Sequence, residues 1–336
     1  MSVKKLFSTV ARLTAAAALA GSLAACAKIE LPAHLRPISK DSMMLLGKKG
    51  MNQHAPIFVR IFKEESELEV WKQRLDGRFY HFKTYPICQW SGALGPKRRQ
   101  GDKQAPEGFY QVNRHLMNPN SKFHLAFNLG YPNAYDRAHG RTGNFLMVHG
   151  KCSSAGCYAM TDGLIEEIYA LARESFIGGQ QTFTVHAFPF RMTDENLARH
   201  KKSKHRRFWQ TLKEGYDYFE FTRQVPQVAI CNRRYHVNVA WDGQKLDPTG
   251  PCPHFTRPAV QPFWPIPGEE QIANQRIIVT GPKKKRLYAS RRPLDRSQMY
   301  GLTKIPGESP RVPSAAAAKP DPIETLLRLI KDPNDS

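Results

Sequence analysis

Acidic residues are in short supply in this chain: 29 aspartates and glutamates face 50 lysines and arginines, leaving a formal charge of +21. That imbalance points to polyanionic partners, and nucleic acid is the first to consider. Long apolar runs are missing as well. Residues 13–20 form an apolar stretch too short to span a bilayer stably. With Lys4, Lys5 and Arg12 before it, the stretch reads as an export signal, which sets nucleic acid aside. Cysteine is scarce, and no second Cys-x-x-Cys or His-x-x-x-His pair exists to complete a tetrahedral zinc set around His149, Cys152 and Cys157. Neither a metal nor an organic cofactor is expected.

What is present begins at the N-terminus. Leu23-Ala24-Ala25-Cys26 fits a lipobox, in which the cysteine is diacylated and becomes the first mature residue. Ordinary cleavage among the same small residues, as at Ala25-Cys26-Ala27, is the competing reading. Residues 1–26 are thus expected to be a lipoprotein-type signal peptide. Acyl chains on a basic body favour a membrane surface, so the expected place is the periplasm, anchored by Cys26, with the outer membrane favoured. Anionic cell-wall polymer is then the natural partner. With Cys26 lipidated, Cys88, Cys152, Cys157, Cys231 and Cys252 remain. An odd thiol in an oxidising compartment is a candidate reactive one. Cys231 with Cys252 and Cys88 with Cys152 are candidate disulfides, but the sequence does not set the pairing.

The chain is organised around residues 148–162, where His149 and Cys157 stand eight residues apart and Ser154-Ala155-Gly156 precedes the cysteine. A thiol nucleophile needs a base, a group to orient that base, and backbone N–H groups to hold an oxyanion. Cys157 can attack, His149 can take the proton, and the carbonyl of Gly150 can fix the histidine tautomer. Gly156 lets the backbone approach closely, so N–H groups around Gly156, Cys157 and Tyr158 can face a substrate. A helix expected directly after the cysteine would add its positive dipole.

At these residues the chain resembles the L,D-transpeptidase family of the YkuD type, whose signature is His-Gly, a short loop, then Ser-x-Gly-Cys. Here it reads His149-Gly150 and Ser154-Ala155-Gly156-Cys157. Residues 158–162, 188–194, 208–209 and 215–219 resemble the YafK-like subgroup, so the resemblance covers roughly residues 55–240. The family also has a strand ending in Ser/Thr-Gly, then a loop and Thr-Pro-x-Gly. Here these are Ser91-Gly92 and Ala105-Pro106-Glu107-Gly108, with alanine for threonine. A further departure is Ala159, where the commoner pattern has arginine. That leaves open which group meets the substrate carboxylate; Ser154 and Arg141 are the candidates for substrate contact.

The resemblance implies a mixed, mainly β fold: a β-sandwich with short helices flanking a Cys/His cleft. It also implies acyl transfer on peptidoglycan stem tetrapeptides, in cross-linking or protein attachment. A hydrolase using the same site, or a wall-binding lipoprotein without catalysis, are the alternatives.

Elsewhere, residues 27–54 read as a spacer before a catalytic domain over residues 55–240. Strands are expected at residues 56–62, 78–88, 123–129, 144–149 and 181–188, and a helix at 64–75 with Leu68, Trp71 and Leu75 on one face. Asp162 is expected to cap a helix with Leu164, Ile165, Ile168 and Leu171 on its apolar face. Residues 192–222 read as a charged helical stretch whose Trp209, Tyr216 and Phe219 belong to the core, with a sugar-stacking platform as the alternative, and residues 228–239 as a hairpin. The Lys97, Arg98, Arg99 and Lys103 cluster reads as a solvated loop, with contact to the acidic stem peptide as the alternative, and His139 as a surface residue, with lining of the cleft as the alternative. From about residue 250 the chain is Pro- and Lys/Arg-rich, a composition that cannot bury enough apolar surface to fold alone, apart from one short helix at 325–330.

Overall fold

The computed structural model describes residues 30–243, 245–263 and 277–279. Cys26, the rest of the expected signal peptide, the helix expected at 325–330 and most of the basic tail lie outside them. Among the described residues no helix is long and apolar enough to cross a membrane.

Two five-stranded sheets make the body. The first runs β3-β2-β1-β10-β5, from β1 (Ile57–Phe62), β2 (Glu67–Gln73), β3 (Phe79–Pro86), β5 (Gly108–Asn113) and β10 (Thr182–Phe188). Only the β1/β10 contact is parallel. The second runs β4-β9-β8-β7-β6, from β4 (Gln89–Trp90), β6 (Met117–Ser121), β7 (His124–Asn128), β8 (Met147–His149) and β9 (Tyr158–Ala159). One apolar cluster joins them, with Val59, Ile61, Val70 and Val185 from the first sheet and Leu125, Phe127, Val148 and Tyr158 from the second. The fold is therefore mainly β, a sandwich, as the family resemblance implied.

The first sheet is covered on its other face too. Helix α5 (Arg206–Thr222) lays Trp209, Leu212, Tyr216 and Phe219 against Phe58, Phe62, Trp71, Phe109 and Phe188. These aromatics are core, as expected. The charged helical stretch is two helices, α4 (Asp194–Arg199) and α5, with α3 (Asp162–Ile177) packed against β7 and β8, and α2 (Ala134–Ala138) in the loop before β8. The hairpin of β11 (Val228–Cys231) and β12 (Arg234–Val237) also forms.

Burial on both faces explains one error in the sequence reading. Residues 64–75 are not a helix: they turn and return as β2, antiparallel to β1, and Leu75 is exposed. Leu68 and Val70 enter the shared core while Glu69 and Trp71 face α5, so a buried carboxylate hides the period-2 pattern. Glu69 is paired across the strands with Arg60, whose guanidinium contacts it at 2.8 Å and reaches Glu220 at 2.7 Å. Arg191 meets the other oxygen of Glu69 at 2.7 Å, and the Trp71 indole N–H donates to Glu69 at 2.9 Å.

The expected spacer is corrected as well. Within residues 30–54, α1 (Lys40–Lys48) is capped by Ser39 and buries Leu46. Lys49 donates to the carbonyls of His81 and Phe82 at 2.6 and 3.2 Å. Arg36 pairs with Glu166 at 2.9 Å, and Ser42 donates to Glu167 at 2.6 Å. These polar ties add to the apolar contacts of Ile38, Leu46 and Met51 with the core. At the other end, Phe263 N–H donates to Phe221 O, and residues 277–279 pair with Thr84 of β3. The body therefore extends past residue 250.

Candidate active site

The two sheet edges that matter are β8 and β9, paired in parallel with Val148 opposite Tyr158 and His149 opposite Ala159. Val148 and Tyr158 point into the shared core. Side chains alternate along a strand, so His149, Ala159 and Cys157 share the opposite face, with Cys157 diagonal to His149. Tyr158 is locked in place by its hydroxyl, which donates to Pro106 O at 2.5 Å. The expected strand at residues 144–149 is shorter, and the one at 123–129 is β7.

His149 is 3% exposed and its Nδ1–H donates to Gly150 O at 2.7 Å. A carbonyl only accepts, so the proton sits on Nδ1 and Nε2 is left as an acceptor. Burial pulls the imidazole pKa down from its usual 6.5, with the Gly150 carbonyl opposing. The Phe123 ring lies 4.6 Å from the imidazole, centroid to centroid. Gly150 has no room for a side chain: a Cβ would stand 2.6 Å from Asp162 Oδ1 and 2.9 Å from Phe123 O. That same Asp162 oxygen accepts from Lys151 N–H at 2.7 Å. Asp162 is the first residue of α3 rather than its cap, which is Thr161.

Cys157 is the one free cysteine among those described. Its Sγ accepts from Met147 N–H at 3.4 Å and donates to Phe145 O at 3.5 Å. Burial raises the thiol pKa above its usual 9.0, against the Met147 N–H and the charge of Lys97. The helix dipole expected next to it is absent. Strand β9 follows the cysteine because Tyr158 and Ala159 pair with both β8 and β4, and α3 starts only at Asp162.

The loop between them is built from its own hydrogen bonds. Ser154 Oγ donates to Cys157 O at 2.6 Å and accepts from Gly156 N–H at 3.2 Å. Gly156 has φ of +133°, which only glycine adopts easily, and its Cα faces the Lys103-Gln104 backbone. Ser154 is thus engaged with the loop, and so is the Gly156 N–H. Cys152 is bonded to Cys88, and Cys231 to Cys252, with Cα separations of 5.3 and 5.2 Å. The first bond ties the loop after His149 to the end of β3.

Arg141 is not beside Cys157 in this hydrogen-bonded set. It pairs with buried Asp136 at 2.7 Å and lies over the Tyr135 and Phe208 rings. His139 is exposed nearby. Of the cation cluster read as a solvated loop, Arg98 and Arg99 are exposed and Lys97 is buried, and the surrounding 91–108 segment is largely held. Lys63 Nζ donates to the carbonyls of Ala93, Gly95 and Ala105 and meets Glu107 at 2.9 Å. Asp102 gathers Lys97 Nζ and the N–H groups of Arg98, Arg99 and Gln104. Lys97 sits in a cation run in the sequence, but it is buried, and its charge opposes the rise in the thiol pKa.

Comparison with known proteins follows the same segment. Residues 65–185 match the model of the YkuD family, the L,D-transpeptidase catalytic domain. The chain is 45% identical over 213 residues to YafK of Escherichia coli (strain K12), a candidate L,D-transpeptidase by name, covering 63% of this chain and 83% of that one. The same figures hold for YafK of Escherichia coli O157:H7. Among solved structures, the helical cell shape determining protein Pgp2 from Campylobacter jejuni is 17% identical with a TM-score of 0.32, covering 58% of this chain and 80% of that one. That likeness is too distant to bear on the site.

Proposed function

Because the chain belongs to the L,D-transpeptidase family, we propose that Cys157 and His149 carry out acyl transfer on peptidoglycan stem peptides. In this reading His149 Nε2 takes the proton from the Cys157 thiol. The sulfur attacks the carbonyl at the L-centre of diaminopimelate in a stem tetrapeptide. The C–S bond forms, the amide C–N bond breaks, and the histidine returns the proton to the departing D-alanine amine. An acceptor amine, from a second stem or a wall-linked protein, then attacks the thioester and restores the thiol. Backbone N–H groups around Cys157 and Tyr158 hold the oxyanion. No cofactor enters this scheme.

One observation carries the reading. The β8/β9 register sets Cys157 diagonal to His149 on one face, and the Nδ1–H bond to Gly150 leaves Nε2 as the acceptor. A second reading, hydrolysis at the same site, is favoured by Ala159. It stands fully buried opposite His149, where the commoner family pattern has a cation to hold substrate. Without that hold, water competes better with the acceptor.

Purified protein incubated with muropeptides, with products followed by mass, separates the readings. New dimers mean transfer, and shortened or detached stems mean hydrolysis. An unchanged mixture with retained wall binding would leave only the non-catalytic lipoprotein. Residence in the periplasm through acylated Cys26 belongs to the same proposal. Labelled fatty acid should enter the wild-type chain and not Cys26→Ala; a lipid-free mature N-terminus would remove the anchor from the scheme.

A further inference from the structure

Five unneutralised cations converge on one hollow of about 610 Å3 at the start of α5. They are Arg98, Lys204, Arg207, Arg233 and Arg234, all exposed, and none has a side-chain hydrogen bond or ion pair with a described residue. Arg141 joins them from the wall, stacked on Tyr135 and Phe208. The one acid in the lining is Glu214, which lies 3.8 Å from Arg257.

Two local rules are broken to assemble this set. Helix N-termini favour acids, and α4 obeys with Thr193 as cap and Asp194 and Glu195 in its first turn. Helix α5 does the reverse: its cap His205 makes no side-chain bond, and its first turn has no acid, opening with Arg206 and Arg207. Then the β11–β12 turn puts Asn232 and Arg233 at φ of +48° and +55°. The second such position is ordinarily glycine. Here it carries a guanidinium, held there by Asn232 N–H to Gly250 O and Arg233 N–H to Pro248 O. Local inconsistency of this kind, twice in one place, marks a site selected for something other than stability.

A short chain of neighbours leads from the hollow towards the candidate active site. A second one of about 450 Å3 shares Arg98 and Lys204 and is walled by Asp102 and Gln104. A Cβ on Gly156 would stand 3.6 Å from Leu146 and 3.8 Å from the backbone of Lys103 and Gln104, and the charge of Lys97, next to Arg98 in the chain, opposes the rise in the Cys157 thiol pKa.

We propose that this hollow is a second anion site, which takes the carboxylates of an acidic stem peptide on a neighbouring, unreacted strand of the wall polymer. The proposal rests on the wall-polymer reading above and adds a subsite to it. Arginine forks match carboxylates in pairs. The concave shape suits a peptide better than a flat lipid surface. A four-residue stem spans only about 13 Å when extended, and the carboxylates held here are those of a second stem, distinct from the one that meets Cys157.

The test uses the full chain carrying Cys157→Ala, so that binding is read without turnover. The probes are a disaccharide-tetrapeptide and its cross-linked dimer, titrated at several salt concentrations. The dimer should bind more tightly than the monomer, with the stronger salt dependence. The triple variant R98Q/K204Q/R207Q should erase that preference, at about three-fold per cation, the scale of an exposed charge contact. Arg233→Gly, which relieves the turn, should raise the melting temperature yet weaken dimer binding by about three-fold. Equal dimer affinity in parent and triple variant overturns the proposal. So does loss of binding to phosphatidylglycerol vesicles in the triple variant while dimer binding persists. These readouts need no catalysis, so an inactive wild-type enzyme would refute the proposed reaction and leave the site standing.

Discussion

The proton on Cys157 is directed at Phe145 O, and His149 is kept neutral by burial. The resting pair is thus thiol and imidazole rather than thiolate and imidazolium. Raised thiol and lowered histidine pKa values both push the same way. Alkylation of Cys157 by iodoacetamide should therefore keep rising with pH past neutrality and show no plateau below about pH 9, where an ordinary thiol would half-ionise. A plateau reached by pH 6 would mean a preformed ion pair and would refute this resting state. In a working enzyme the activation must then come from proton transfer once substrate is bound, with Met147 N–H and Lys97 easing the charge on sulfur.

At the level of elements, β2 is the strand the helical pattern misplaced, and Glu69 at its centre is what holds it. Burial alone would raise its carboxyl pKa, but Arg60 and Arg191 hold it far below the usual carboxylate range. A carboxylate depressed in the folded state stabilises above its unfolded value of 4.5 and loses that contribution as pH falls. Glu69→Gln should leave Arg60 buried beside a neutral partner and cost about 3–5 kcal/mol. Its stability should also depend less on pH below 4.5, measured by urea unfolding between pH 3 and 6. A cost under about 1 kcal/mol would show that Glu220 alone satisfies Arg60. The same element explains what the sequence could and could not tell. β1, β7, β10 and the β11–β12 hairpin were legible because apolar runs and turn residues marked them. His149 and Cys157 were legible through glycines that the backbone needs. β2 and α1 were not, since buried Glu69 breaks the apolar alternation of β2 and α1 buries only Ser42 and Leu46. The strand after Cys157 was missed because it is two residues long, too short for a periodic signal, and one of its partners, β4, is distant in sequence.

For the whole molecule, the excess of cations is the property with the longest reach, and it extends into the residues beyond 279. A tail deletion starting at residue 250 would remove Cys252, the Ala240–Thr256 bridge and the pairing with Thr84. Truncation after Val279 keeps all three. It should leave turnover of small soluble muropeptides unchanged and weaken sedimentation with isolated wall sacculi at low salt. The difference should fade as ionic strength brings the screening length to about 10 Å and below. Loss of soluble turnover would instead assign the tail to the active site.

The bond between Cys88 and Cys152 has a further consequence, because a free sulfur lies five residues along the same loop. A thiolate there would be an intramolecular reductant, able to open that bridge and trade partners with it. Burial that raises the Cys157 thiol pKa lowers the fraction of the attacking thiolate, which favours holding a reactive sulfur and an intact crosslink in one short segment. Slow chemistry at rest is, in this protein, also a defence against reshuffling its own covalent frame.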